Sequence, residues 1–270
     1  MIGSLRERQL RDAVIEAALR LFAIGLVTET SGNISVRSTE NESMWITPSA
    51  RDCRLLRARD VVRVELLSGT AQGLWKPSSE WRLHAAIYRV RPDVNAVIHH
   101  HGVWASTVAV ARRTIPVLTD EAADIGPIST APYGLSGSQE LADAIAAEMA
   151  NESNAVLLAN HGAVAVGPSL EEAYRRAAEV ERLARIYIGA QVLGGAHALD
   201  EESFLSSKEF FTRYWSSKRR DHVASCTDGY VRMQDVAAYA IRAGVTLASL
   251  TKSVVVQTIH RCGLTSKAHL

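Results

Sequence analysis

Four side chains in this sequence have the types and the spacing that a bound metal ion requires. His99 and His101 lie two residues apart at the end of a run typical of a strand, so their imidazoles project from one face while His100 projects from the other. Two imidazoles are a common part of transition-metal sites and need further ligands. His161, which ends a second apolar run, and Glu80, which opens a helix, are the candidates. The His-x-His pair alone also fits two histidines bonded to backbone carbonyls.

Three short segments rich in hydroxyl groups and small residues form a candidate anion site. They are Gly32-Asn33 in a turn, residues 47–50 after a strand, and Ser78-Ser79 at a helix start. Exposed backbone N–H groups in such loops bind phosphate or carboxylate groups. Each segment by itself also fits a plain turn or a helix cap, so the hypothesis rests on the three together.

The composition excludes several classes of protein. The 270 residues are 47% hydrophobic and 22% charged, which suits a folded chain of one large or two small domains. A formal net charge of +1 without long blocks of one sign argues against a nucleic-acid partner. Three widely separated cysteines argue against a disulfide framework, and no stretch is apolar enough to span a membrane. We therefore expect a cytoplasmic protein without a membrane partner.

The periodicity of apolar residues predicts the elements that position these candidates. An amphipathic helix opens the chain and Gly25 ends it, a strand leads into His99, and a buried strand stops before His161. The predicted helices cover residues 5–22, 81–91, 103–111, 136–149 and 169–192, and the predicted strands cover residues 34–37, 44–47, 61–67, 95–101, 115–118, 155–158 and 163–166.

Five motifs that follow one another along the chain carry a resemblance. They are Thr30-Ser-Gly-Asn-Ile-Ser-Val-Arg37, Ile46-Thr-Pro-Ser49, Lys76-Pro-Ser-Ser-Glu-Trp-Arg-Leu-His84, Arg91-Pro-Asp-Val-Asn-Ala-Val-Ile-His-His-His101 and Asn160-His-Gly162. In these motifs and their spacing the chain resembles the class II aldolase/adducin family. The resemblance implies an α/β fold, a three-layer α/β/α sandwich with a central mixed, mainly antiparallel sheet. The resemblance implies that residues 1–220 form a catalytic domain and that residues 221–270 are a C-terminal extension of unknown role.

The resemblance implies a role for each candidate residue. His99, His101 and His161 would bind a divalent metal, Zn²⁺ or Mn²⁺, and Glu80 would be a further ligand or the catalytic acid/base. The family's anion pocket falls on Gly32, Asn33, Ser49, Ala50, Ser78 and Ser79. A C-terminal tyrosine that donates a proton in a neighbouring subunit's site falls on Tyr214, which equally fits a packed aromatic. The implied assembly is a homotetramer with active sites at subunit interfaces.

Two departures from the family's aldolases bear on the substrate. The aldolases carry a tyrosine about twenty residues after the first metal histidine, whereas this chain has Asp120 there, with Glu121 and Asp124 nearby. Asp124 is a candidate for the proton transfer of a ribulose-phosphate 4-epimerase, and all three acids also fit surface charges. Ala50 replaces the glycine of the phosphate loop, and its methyl group crowds the position where the backbone would approach a phosphate. Arg51 or the helix start at Ser78-Ser79 would then bind a carboxylate of the substrate instead.

These features favour a divalent-metal-dependent carbon–carbon lyase acting on a small anionic substrate. The first choice is a decarboxylase of a hydroxylated aromatic or heteroaromatic dicarboxylate, such as 3-hydroxy-2-methylpyridine-4,5-dicarboxylate, that works through a metal-stabilised enolate. Glu80, partly desolvated beside the metal, would hold near neutral pH the proton that returns to carbon. The alternatives are a sugar-phosphate aldolase of the L-fuculose-1-phosphate type and a ribulose-phosphate 4-epimerase-like enzyme. A non-catalytic module resembling the adducin head would have no use for the four metal-site residues.

Overall fold

The computed structural model describes residues 5–40, 42–151 and 153–227. The helices are α1 (Leu5–Ala23), α2 (Trp81–Val90), α3 (Val103–Val110), α4 (Gln139–Met149), α5 (Leu170–Val192) and α6 (Glu201–Thr227). The strands are β1 (Asn33–Arg37), β2 (Ser43–Ile46), β3 (Val62–Glu65), β4 (Ala71–Gln72), β5 (Ala96–His100), β6 (Thr130–Ala131), β7 (Ala155–Leu158) and β8 (Gly162–Gly167). Among the described residues, no helix combines the length and the apolar character needed to cross a membrane.

The chain divides into two units, Met1–Phe211 and Thr212–Leu270. The sheet, the helices α1 to α5 and the four candidate metal ligands all belong to the first unit. The domain boundary expected after residue 220 falls within α6, and residues 228–270 lie outside the described part of the chain. The C-terminal extension and its role therefore stay a prediction.

The strands form one eight-stranded sheet in the order β4-β3-β2-β1-β5-β8-β7-β6. Neighbouring strands are antiparallel except β6 and β7, which are parallel. Helices α1, α3 and α5 cover one face, and α2 and α4 cover the other. The expected fold class is therefore confirmed: an α/β/α sandwich around a mixed, mainly antiparallel sheet.

Alternating side chains along β5 separate the two halves of the core. Ile98 packs in the layer of α1, α3 and α5, whereas Val97 packs in the layer of α2 and α4. β5 and its neighbour β8 are buried along their whole length, as is typical of central strands covered on both faces. Burial of each such aliphatic side chain contributes roughly 1.5–3 kcal/mol. By the same alternation His99 faces the α2/α4 layer and His100 faces the other layer.

Most predicted elements form close to their expected bounds, and one does not form. α1 ends before Gly25 as predicted, and the φ of +75° at this glycine suits the left-handed turn that closes a helix. The strand expected over residues 115–118 is wrong, because Ile115 makes only an isolated antiparallel bridge with Ile128. Pro116, which follows Ile115, has no N–H group to extend a ladder of hydrogen bonds.

Candidate metal centre

Adjacent strands and the start of α2 bring the four predicted metal ligands together. His99 lies in β5, His101 follows that strand, and His161 lies in the turn between β7 and β8. Glu80 is the residue immediately before α2, which covers this face of the sheet. One ligand atom from each of the four side chains lies within 4.8 Å of all the others. The order of the strands therefore assembles, from three distant parts of the chain, the cluster that the motifs predict.

Three distances within this cluster match the separation of neighbouring donor atoms around one metal ion. Nε2 of His99 lies 2.9 Å from Nε2 of His101 and 3.1 Å from Oε2 of Glu80. Nε2 of His161 lies 3.4 Å from Oε1 of Glu80. Ligand bonds of about 2.0–2.1 Å at tetrahedral or octahedral angles separate neighbouring donor atoms by roughly 2.9–3.4 Å. Three imidazoles and one carboxylate with converging lone pairs therefore fit a divalent cation such as Zn²⁺ or Mn²⁺.

The ring of His99 is held so that its Nε2 atom faces the cluster. Its Nδ1–H group donates to the backbone carbonyl of Ala163 in β8 at 3.0 Å, which leaves the lone pair of Nε2 for a ligand bond. On the opposite face of the strand, Nδ1 of His100 accepts the amide of Gly102 at 3.2 Å. His99 and His101 thus share one side, with ring centroids 4.7 Å apart, as their spacing predicts.

A tight turn places His161 against the other ligands. Asn160 precedes it with a φ of +57°, a left-handed conformation that asparagine adopts more readily than most side chains. A Cβ added at Gly162 would lie 2.4 Å from the carbonyl oxygen of His100 and 2.8 Å from the ring of His101. The absence of a side chain at Gly162 is therefore what lets this turn approach the end of β5.

The surroundings of the cluster favour the neutral forms of His101 and His161 and the ionised form of Glu80. Burial and the neighbouring imidazoles lower the pKa of His101 to about 4, and burial also lowers the pKa of His161. Burial acts to raise the pKa of Glu80, but the adjacent imidazole of His99 and a hydrogen bond from Asn33 outweigh it, so the net pKa is lowered. The lowered pKa is opposite in direction to the expectation that Glu80 holds a proton near neutral pH. An ionised Glu80 is suited to bind a cation or to accept a proton, and its catalytic role stays a prediction.

The three loops expected to bind an anion lie side by side next to the metal ligands. An antiparallel bridge between Pro48 and Pro77 joins the loop after β2 to the loop before α2. The first loop leads into β1, whose first residue, Asn33, is the register partner of His99. A Cβ at Gly32, where φ is +74°, would lie 2.9 Å from the carbonyl oxygen of His99, so this turn requires glycine. These loops contain Gly32, Asn33, Ser49, Ala50, Ser78 and Ser79, whose role in anion binding stays a prediction.

Ala50 adopts the backbone conformation that a glycine would supply. Its φ is +50°, a left-handed conformation that costs a residue with a side chain roughly 1–2 kcal/mol. The loop therefore keeps a glycine-like course and adds only an exposed methyl group. This weakens the argument against a phosphate that the substitution suggests. The neighbouring Arg51 stacks on Trp75, with the guanidinium carbon 3.6 Å from the ring centroid, and its contact with an anion stays a prediction.

The structure does not bring Asp124 to the cluster. Its carboxylate is bound by the guanidinium groups of Arg175 and Arg176, the latter with Nε at 3.1 Å. Arg176 also donates to the carbonyl of Val166 at 2.8 Å, near the end of β8 that is remote from His161. At about 3.3 Å per residue, Val166 lies roughly 16 Å along the strand from His161. Within one chain this geometry supports an ion pair rather than proton transfer at the metal.

Two other predicted acids do not belong to the cluster, and Tyr214 belongs to the second unit. Asp120 is exposed, and Glu121 pairs with Arg182 at 2.9 Å on the surface, so both fit the alternative of surface charges. Tyr214 lies on α6 in the second unit, where its ring is 4.9 Å from that of Trp215, measured between centroids. Its role in a neighbouring subunit's site stays a prediction.

Asp124→Asn is expected to lower stability without lowering turnover. Burial acts to raise the pKa of Asp124, but the hydrogen bonds and charges of Arg176 and Arg175 outweigh it and lower the folded-state pKa. Such a carboxylate stabilises the fold above its ordinary pKa, and the stabilisation is lost as the pH falls through the folded-state pKa. We expect the free energy of unfolding in urea to fall by about 2 kcal/mol at pH 7, and by less in acid.

The exposed Asp120, in the same short 3-10 helix, is the matched control for this variant. Asp120→Asn should leave the free energy of unfolding unchanged within about 0.5 kcal/mol. A hundredfold loss of turnover in Asp124→Asn at full stability would instead assign the aspartate to catalysis.

Two side chains that hold Glu80 are not predicted from the sequence. Ser136, in the loop before α4, donates to Oε1 of Glu80 at 2.9 Å. Asn33 is expected on an anion loop, yet its side chain donates to Oε2 of Glu80 at 2.8 Å. Behind Asn33 lies His84, four residues after Glu80 and therefore on the same face of α2. The four-residue spacing from Glu80 could have indicated that His84 belongs to the site. His84 also fits the apolar periodicity of the helix, so the spacing did not single it out.

Comparison with known proteins identifies relatives of this chain. Residues 12–188 match the sequence model of the class II aldolase and adducin N-terminal domain. The chain is 34% identical over 205 residues to a 5-deoxy-D-ribulose 1-phosphate aldolase of Bacillus thuringiensis, covering 76% of this chain and 96% of the relative. It is 36% identical over 186 residues to the L-fuculose phosphate aldolase of Escherichia coli, covering 68% and 85%.

Solved structures are similar to most of this chain as well. An L-fuculose 1-phosphate aldolase superposes with a TM-score of 0.73 at 32% identity, covering 78% of this chain and 98% of that structure. The L-fuculose-1-phosphate aldolase from Thermus thermophilus superposes with a TM-score of 0.62 at 28% identity, covering 71% and 99%. Both the extent of the sequence match and the identity to these relatives lead to one conclusion: the chain belongs to the class II aldolase and adducin family.

Proposed function

We propose that this protein is a divalent-metal-dependent aldolase that cleaves a phosphorylated ketose. The proposal rests on one observation: three loops suited to bind an anion lie next to a metal centre with four ligands. The relatives named as aldolases of 5-deoxy-D-ribulose 1-phosphate and L-fuculose phosphate support this function better than the decarboxylase favoured by the sequence. The glycine-like conformation of Ala50 supports a phosphate in the anion site as well.

The reaction breaks the bond between C3 and C4 of a ketose 1-phosphate. The C4 hydroxyl loses its proton, the C3–C4 electron pair stays with the fragment that holds the C2 carbonyl, and C3 takes up a proton. The products are dihydroxyacetone phosphate and an aldehyde. When bound, the divalent metal supplies Lewis-acid stabilisation of the negative charge that develops on the substrate oxygens.

Glu80 is the group of this chain best suited to move the proton. Its side chain is buried, its neighbours lower its pKa, and it lies at the N-terminus of α2, where a carboxylate is favoured. We propose that its carboxylate accepts the proton of the C4 hydroxyl and returns it to C3. Ser49, Ser78 and the adjoining backbone N–H groups bind the phosphate and so fix the reacting carbons near Glu80.

The proposed assembly is the homotetramer that the resemblance implies, with sites at subunit interfaces. In this arrangement Tyr214 of a neighbouring subunit supplies a further proton donor. The metal is Zn²⁺ or Mn²⁺, both of which suit three imidazoles and a carboxylate.

The proposal is tested by offering the metal-loaded protein two classes of substrate. We expect release of dihydroxyacetone phosphate from 5-deoxy-D-ribulose 1-phosphate or L-fuculose 1-phosphate with a kcat of about 1–10³ s⁻¹. Removal of the metal by a chelator should abolish the release, and added Zn²⁺ or Mn²⁺ should restore it. Release of carbon dioxide from a hydroxypyridine dicarboxylate, with both sugar phosphates left intact, would overturn the proposal in favour of decarboxylation.

A further inference from the structure

A chain of buried hydrogen bonds leads from Glu80 into the core between the sheet and α2. Nδ2 of Asn33 donates to Oε2 of Glu80 at 2.8 Å, and Oδ1 of Asn33 lies 2.5 Å from Nε2 of His84. Oγ of Ser35 lies 2.7 Å from Nδ1 of His84 and 2.8 Å from the hydroxyl of Tyr88. None of the five residues is more than 5% exposed.

The amide of Asn33 determines the direction of every bond in this chain. Its NH₂ group donates to Glu80, and its Oδ1 can only accept, so the hydrogen bond between Oδ1 and His84 is donated by His84. His84 therefore carries its proton on Nε2, and its Nδ1 accepts from the hydroxyl of Ser35. That hydroxyl oxygen accepts in turn from Tyr88. All donors point towards Glu80, and buried hydrogen bonds aligned in this way strengthen one another.

Stability alone does not explain these polar side chains. A pair of hydrogen-bonded groups contributes little more to folding than apolar groups of the same shape would. Burial also lowers the pKa of His84 to about 3, so the ring stays neutral and adds no ion pair to the core. What the chain does provide is a single orientation for the amide of Asn33, since a flipped amide would turn its carbonyl oxygen against the carboxylate.

We propose that His84, Ser35 and Tyr88 are positioning residues that lock the amide of Asn33 and thereby hold Glu80 in the orientation from which it transfers a proton. This inference rests on the proposed function, in which Glu80 moves the proton between C4 oxygen and C3. The positioning residues touch neither the substrate nor the metal. Their loss therefore acts on turnover through Asn33, and less on the binding of substrate.

The test compares two replacements of His84 with a neighbouring control. His84→Met fills the space but breaks the chain, and we expect kcat to fall about 10- to 100-fold with KM changed less than about threefold. His84→Gln retains a donor and an acceptor, and should recover most of kcat. Leu83→Ala, at a buried position on the same helix, should destabilise the protein yet keep kcat. Should His84→Met fail to fold, Tyr88→Phe removes only the terminal donor and should lower kcat about twofold to fivefold.

A second readout needs no turnover. In metal-free protein labelled with ¹⁵N at histidine, we expect the His84 ring to carry its proton on Nε2 and none on Nδ1. A proton on Nδ1, or a kcat for His84→Met equal to that of Leu83→Ala, would overturn the positioning role. Absence of ketose-phosphate cleavage by the wild-type protein would overturn the proposed function itself, so the two failures are distinguishable.

Discussion

His161→Ala is expected to lose metal and turnover together. The variant leaves two imidazoles and one carboxylate in a site whose four donor atoms now lie within 4.8 Å of one another. Because the metal stabilises the developing charge by several kcal/mol, we expect ketose-phosphate cleavage to fall at least about 10³-fold. Metal affinity should fall by more than about 100-fold in a competition with a chelator. The fold should persist, since His161 lies in the turn between β7 and β8 and not in a strand or a helix.

The matched control for this variant is His197→Ala. His197 is exposed between α5 and α6 and does not belong to the group of four ligands, so metal content and turnover should stay at wild-type levels. Retention of the full metal content by His161→Ala would remove this histidine from the centre, whatever its effect on activity.

Glu80→Gln is expected to separate metal binding from proton transfer. Glutamine has nearly the same shape and can still accept hydrogen bonds from Asn33 or Ser136, but it cannot take a proton from a hydroxyl group. We expect kcat to fall about 10²- to 10⁴-fold, the usual contribution of a general acid–base group. Metal affinity should fall less, because the three imidazoles remain in place. Rapid-quench turnover and chelator competition on the same preparation measure the two effects.

Glu140→Gln serves as the control, because Glu140 is an exposed glutamate in the first turn of α4. It should match wild type in both measurements. A Glu80→Gln variant that kept wild-type kcat would show that the proton moves by another route, and Tyr214 of a neighbouring subunit would be the next residue to replace.

The parts of the site that sequence predicts are those governed by local periodicity. A spacing of two residues in a strand is enough to put His99 and His101 on one side and His100 on the other. The meeting of this pair with Glu80 and His161 does not follow from periodicity, since it depends on which strands are neighbours. The family motifs supplied that information, and the pairing of β5 with β8 explains it physically.

The parts that sequence misses depend on contacts between distant residues. Asp124 meets Arg175 and Arg176 across 51 and 52 residues, and nothing in the local pattern of charges marks that pairing. The hydrogen bond from Ser136 to Glu80 likewise spans 56 residues. The protonation of Glu80 could not be predicted either, because its pKa reflects the balance of burial against neighbouring donors in the folded protein.

The register of β5 gives the metal a part in the assembly of the sheet. His99 pairs with Asn33 in β1 and with Val164 in β8. If β5 slipped by one residue, His100 and Ile98 would face α2 and His99 would face the opposite layer. Only the native register gathers the ligands, so a metal ion binds the correctly paired sheet and stabilises it against slipped forms by mass action. The metal content measured after refolding therefore reports on strand pairing. A chain refolded in the wrong register would be compact but would not bind the ion.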